Sequence, residues 1–194
     1  MAEQAQPHVG EVIESSTAEF TAESRVLHGA PPFGAYVKID GYPMIYAITY
    51  NISTQSIEPN RRPTAYGKTE DELRLEQPQI FELLRTEFNC LIIGYEDETG
   101  IYQNLPPHPP KIHNFVHFCS ATEIANFTDK AHYLRPIFGQ ARVPSDDLTI
   151  AAIRNAHLAR GENGHYLVKA GKEVARLLKD DYDRLHSILE RIHV

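Results

Sequence analysis

Short β-branched or aromatic runs, each closed off by glycine or proline, fill the first quarter of the chain, and none is long enough for anything but a strand. They occupy residues 9–13, 19–21, 34–39 and 44–50. In the third, Tyr36, Lys38 and Asp40 alternate with Ala35, Val37 and Ile39, the period of two that sends successive side chains to opposite faces. Strands this short, at such close intervals and with Gly and Pro turns, build a small antiparallel sheet, closed as a barrel or stacked as a sandwich.

The pattern changes after Asn51. Pro59-Asn60-Arg61-Arg62-Pro63 is a loop, and Thr69 followed by Glu72 is a capping box that opens a helical segment carrying Leu73 and Leu75. Pro78 interrupts it, and Ile80, Phe81, Leu83 and Leu84 form the apolar face of a further turn or two. A helical insertion is therefore expected near residues 69–86. Strand patterning returns at residues 88–95, with a turn at 96–100 and Ile101-Tyr102 continuing a hairpin. Pro106-Pro107-His108-Pro109-Pro110 must be extended, and residues 113–119 read as a last strand. Past Thr122 the pattern is helical. Ser145 is expected to cap a helix with Asp146 and Asp147 in its first turn, running to Arg160 and stopped by Gly161-Glu162-Asn163-Gly164. One last helix is expected from Tyr166. Its broad apolar face carries Leu167, Ala170, Val174, Leu178, Leu185, Leu189 and Ile192. The fold class is thus α+β: an N-terminal antiparallel β-barrel of roughly six strands over residues 8–120, with a helical insertion, and an α-helical region over 121–194.

Nineteen Lys and Arg against 26 Asp and Glu leave a net charge of -7, the wrong sign for a domain that covers several phosphates. Arg61-Arg62 is a small cluster, and Lys169, Lys172, Arg176 and Lys179 are interleaved with acids as on a solvated helix face. No apolar run nears the roughly 18 residues of a membrane span. The start, Met1 to Pro7, lacks a basic and an apolar leader region, so the chain is expected to stay in the cytoplasm. Cys90 and Cys119 lie in apolar stretches and read as buried, reduced thiols. Asn51-Ile52-Ser53 and Asn126-Phe127-Thr128 match the glycosylation pattern, chance matches without a secretory route.

No catalytic signature stands in the chain. Gly164 and Gly171-Lys172 imitate a phosphate loop, but six residues separate the glycines and Glu173 follows the lysine where a hydroxyl is needed. His108, His113 and His117 cluster near Cys119, and on a strand His113, His117 and Cys119 would share a face. A metal there lacks a second ligand pair, and partly buried strand histidines are the plainer reading. His186 and His193 suit the carbonyl end of the last helix. No cofactor is expected.

Gly10-Glu11-Val12-Ile13, then Thr17 and Phe20, then Pro32-Phe33-Gly34-Ala35-Tyr36-Val37, resemble the opening of the HAS-barrel family. Cys90-Leu91-Ile92-Ile93-Gly94, the proline run at 106–110 and the segment 113–119 resemble that barrel's second half, so the resemblance covers about residues 8–120. The family's barrels precede a RecA-like motor in HerA-type ATPases and rotary ATP synthase subunits, assemble into rings, and in HerA-type proteins seat a nuclease. Here only about 75 residues of helical sequence follow, so ATP hydrolysis and DNA translocation do not carry over. Assembly or docking does.

The expected function is therefore non-catalytic: a protein-binding or assembly module, with a protein partner or a second copy of the chain on the face of Val174, Leu178, Leu185, Leu189 and Ile192. In a heptad on that face Asp181 falls where an apolar residue is wanted, which favours packing within the chain. Two alternatives stand. One is a metal-dependent hydrolase built on His113 and His117. The other is an OB-like barrel stacking single-stranded nucleic acid on Tyr36, Tyr46 and Phe115, for which no cationic groove is apparent.

Overall fold

A computed structural model describes residues 7–58, 60–140, 143–161 and 164–192. Residues 1–6, Pro59, Glu162, Asn163 and His193, which figure in the readings above, lie outside it.

Seven strands form one antiparallel sheet: β1 (Gly10–Ser15), β2 (Glu19–Ser24), β3 (Tyr36–Ile39), β4 (Met44–Ser56), β5 (Leu84–Asp97), β6 (Gly100–Tyr102) and β7 (Phe115–Phe118). The order β2-β1-β7-β3-β4-β5 returns to β2, because Glu19 to Glu23 also pair with Leu91 to Glu87. Six strands thus close a barrel, which leaves them no free edge, and β6 folds back as a hairpin on the end of β5. The helices are α1 (Glu70–Glu76), α2 (Gln79–Glu82), α3 (Ala121–Phe127), α4 (Arg135–Phe138), α5 (Ser145–Leu158), α6 (Gly164–Leu177) and α7 (Tyr182–Ile192); a 3₁₀ turn, Ala131–Leu134, leads into α4. The expected barrel, insertion and helical C-terminal region are all present.

Two cores lie back to back across the barrel wall. Val12, Phe20, Ala22, Val37, Ile39, Ile45, Ala47, Phe88, Cys90, Ile92 and Val116 fill the interior. Their alternate neighbours Tyr36, Tyr46, Ile48, Leu91 and Ile93 point outward, yet are equally buried, against Phe127, Tyr133, Leu134, Ile137, Leu148 and Ile153 of the helical layer. Burial on both faces is why residues 44–50 and 88–95 read as unbroken apolar runs rather than alternating ones. The contact between layers is hydrogen bonded: Tyr36 Oη donates to the Ala152 carbonyl at 3.0 Å, and Asn155 Nδ2 donates to the Gly34 carbonyl at 2.8 Å.

Several local expectations change. β4 runs past Asn51 to Ser56 and β5 begins at Leu84, because polar pairs carry the ladder where apolar ones stop. Asn51 Nδ2 donates to Asn89 at 2.9 Å, the Thr54 and Thr86 hydroxyls are 2.8 Å apart, and Gln55 Nε2 donates to Glu87 at 2.8 Å. His113 is not in a strand. It sits at φ 70°, in a turn where Asn114 Oδ1 accepts from the Lys111 amide at 2.8 Å, and β7 starts only at Phe115. Ser145 is the first residue of α5 rather than its cap; its hydroxyl accepts from Arg184 at 2.8 Å. The single last helix is two. Asp181 accepts from the backbone amide of Arg184 at 3.2 Å, the bond of a residue that starts a new helix, and this is the residue that breaks the heptad.

Candidate functional site: an insertion groove and an interlayer cleft

The β4–β5 ladder continues beyond the barrel as an arm, with the Ile57 amide donating to the Leu83 carbonyl at 2.9 Å, and the insertion is folded onto its end. Thr69 caps α1 as expected. Its hydroxyl accepts from the Glu72 amide, and the Glu72 carboxylate accepts from the Thr69 amide at 2.8 Å, which holds that carboxyl below its usual range. Yet no residue of α1 or α2 is buried, and Leu75 is 87% exposed. Helices of this length do not stand alone in water. The Arg74 guanidinium lies 4.3 Å over the Phe81 ring and helps tie the two together.

Between loop, helices and arm is a groove of about 200 Å³ lined by Ser56, Pro63, Thr64, Tyr66, Leu73, Ile80, Phe81, Leu83 and Leu84. Its charged lining residues are Arg61 and Arg62, with no acid among them. Arg61 lies 3.6 Å from Glu58, whereas Arg62 makes no hydrogen bond or ion pair among the described residues.

A larger cleft, about 720 Å³, opens where β5 meets the helical layer. Leu91, Ile92 and Leu105 line it beside Pro136, Gly139 and His132, and Arg135, Glu173 and Arg176 bring charge. Arg176 Nε donates to Glu173 at 2.9 Å and its terminal nitrogen at 2.5 Å, a forked pair that holds the Glu173 carboxyl below its ordinary value. His132 and Arg135 add to that effect, so all three basic side chains bear on one carboxylate. Gln103 is spent structurally: its amide nitrogen donates to the carbonyls of Phe127 and Lys130 at 2.5 and 2.6 Å, and its oxygen accepts from Tyr133 at 3.0 Å.

The histidines do not assemble. His113 Nδ1 is 2.5 Å from Glu11 Oε1, whereas His117 Nε2 faces Asp40 Oδ2 at 3.5 Å, and His108 lines a separate surface pocket with Pro109 and Tyr42. No trio of His, Cys, Asp or Glu is placed to hold a metal among the described residues. Cys90 is sealed in the barrel, its thiol pushed up to about 12 by burial, with Thr49 Oγ1 at 3.6 Å; burial likewise raises Cys119. The stacking platform is not formed either: Tyr36 and Tyr46 are covered by helices, and Phe115 stacks on His8 with ring centres 4.3 Å apart. His186 lies mid-helix in α7, 3.6 Å from Glu190, because the helix begins later than expected.

Val174, Leu178 and Ile192 are buried in the chain's own helical core, with Leu185 and Leu189 packed against it. The face read from the sequence is thus covered within the chain. Arg62 and Phe81, by contrast, were visible as a loop arginine and a helix-face phenylalanine, but nothing local said that they border one groove.

Comparison with known family models finds no match, and comparison with curated proteins finds no relative. Among the described residues no helix is long and apolar enough to cross a membrane.

Proposed function

We propose that the chain is a non-catalytic docking module of the cytoplasm, whose insertion groove takes a segment of a partner protein that presents an apolar side chain next to a carboxylate. The observation that carries this is the lining of the groove: apolar walls without a buried helix residue, and arginines as its charge, one of them unpaired. An apolar anchor fills the walls and a carboxylate takes the guanidinium fork. The barrel supplies a rigid base and the arm carries the groove clear of it.

The HAS-barrel resemblance narrows the partner to a ring-forming ATPase or the nuclease seated on one. The closed six-strand barrel supports that reading, since it is the shape the resemblance implies. Selecting peptides from a random displayed library on the intact protein tests the proposal. The expected result is a shared acidic-apolar pattern, with binding lost in both Arg62→Ala and Phe81→Ala. Peptides without that pattern, or binding to both variants as tight as to the parent, overturn it. So does a dimer in light scattering that Phe81→Ala dissociates, since the groove's occupant would then be a second copy.

A further inference from the structure

The interlayer cleft is separate from the docking groove and has a different chemistry. Its volume, about 720 Å³, is within the range of small-molecule sites, with an apolar floor and a few convergent polar groups. Charge there runs against the chain as a whole, which is at -7: Arg135 and Arg176 face a single acid, Glu173. The Arg135 side chain makes no hydrogen bond or ion pair among the described residues. Arg176 is occupied, but by a carboxylate from its own helix, three residues away, whose forked bonds of 2.9 and 2.5 Å are the bonds an incoming oxyanion would make.

From this geometry we infer that the cleft binds a small organic anion, its apolar body against Leu91, Leu105 and Pro136 and its oxyanion on Arg135, with Glu173 as an internal competitor for Arg176. The site accepts the planar carboxylate or the tetrahedral phosphate ester, since a guanidinium fork matches both. A cation is refused by Arg135. A bare inorganic anion leaves the apolar floor uncovered and gains only the ionic part.

The probe is anilinonaphthalene sulfonate, an aromatic body carrying one fixed anion, titrated by fluorescence into the intact protein. Saturable binding of one dye per chain is expected. Arg135→Ala should weaken it by at least about tenfold, the worth of one hydrogen bond to a charged group. Glu173→Gln should tighten it, because Arg176 is released while the side-chain shape is kept. A residue that merely stabilises the fold would not give that gain. Displacement by adenosine monophosphate but not by naphthoate assigns the site to phosphate esters, and the reverse assigns it to carboxylates. Arg62→Ala, in the other groove, should leave the isotherm unchanged, which separates this proposal from the docking one. Isotherms of Arg135→Ala and Glu173→Gln that superimpose on the parent's overturn it. Loss of dye binding in Arg62→Ala also does, because the dye would then be reporting the docking groove.

Discussion

Gly34 and Ala151 touch where the barrel meets α5, so closely that a Cβ on the glycine would collide with the alanine methyl. Gly34 also has φ +78°, a conformation L side chains rarely adopt. Its carbonyl, meanwhile, accepts from Asn155. Gly34→Ala should therefore cost about 2 kcal/mol or more, from backbone strain plus the lost fit between layers. Ala151→Gly in the same chain should return the steric part but not the strain. Urea unfolding of the two single variants and the double variant measures both parts.

Asp181 begins α7, and that helix carries Ile188 and Ile192 into the core. Asp181→Ala should cost about 1 kcal/mol, and Asp181→Asn much less, because the amide oxygen still accepts the Arg184 amide. Leu185, partly buried against the same core, should cost about 2 kcal/mol as alanine, the low end for a core leucine. Light scattering on Leu185→Ala should show an unchanged mass, since its contact is made within the chain. A fall in mass would instead place this face between copies.

Lys38, on β3, reaches Glu123 at 2.6 Å in the capping box of α3, across 85 residues of sequence. Burial opposes both charges, but the mutual bond outweighs it, with further bonds from Ser120 to Glu123: Lys38 is raised and Glu123 lowered. A lowered carboxyl stabilises the fold above its unfolded value and loses that contribution as pH falls through the folded one. A raised ammonium contributes fully below its unfolded value and loses it as pH rises through the folded one. The pair is partly exposed, so Lys38→Met should cost only about 1 kcal/mol near neutral pH. The gap between parent and variant should narrow as pH falls below the ordinary glutamate range, and again as it rises above the ordinary lysine range. A gap that stays flat across both would contradict the assignment.

What the chain shows locally and what it hides can be separated by residue. The runs at 44–50 and 88–95 are legible because burial on both sides leaves nothing but apolar side chains there. Thr69 and Glu72 are legible because a capping box is complete within four residues. Ser120 and Glu123 spell the same box just past the last strand, a signal as local as the first. The arm from Ile52 to Ser56 is hidden by its chemistry, since Thr54 on Thr86 and Gln55 on Glu87 join strands without an apolar face. Barrel closure through β2 and β5, and the insertion of β7 between β1 and β3, are hidden by distance. The candidate sites are hidden for the same reason. Arg176 resembles any solvated arginine on α6 until His132 and Arg135 are folded beside it, and Arg62 is a loop residue until Phe81 arrives.

With docking confined to its groove, the insertion is dispensable to the barrel and indispensable to the partner. Joining Ile57 to Leu83 by Asn-Gly, in place of residues 58–82, keeps the last ladder bond of the arm and supplies a two-residue hairpin turn. No helix residue of the insertion is buried, so the shortened chain should melt close to the parent. The deciding measurement is calorimetric titration of an acidic-apolar peptide, selected on the intact protein, into both. Saturable binding to the parent and no heat of binding with the folded, shortened chain is the predicted result; equal binding to both would contradict the account.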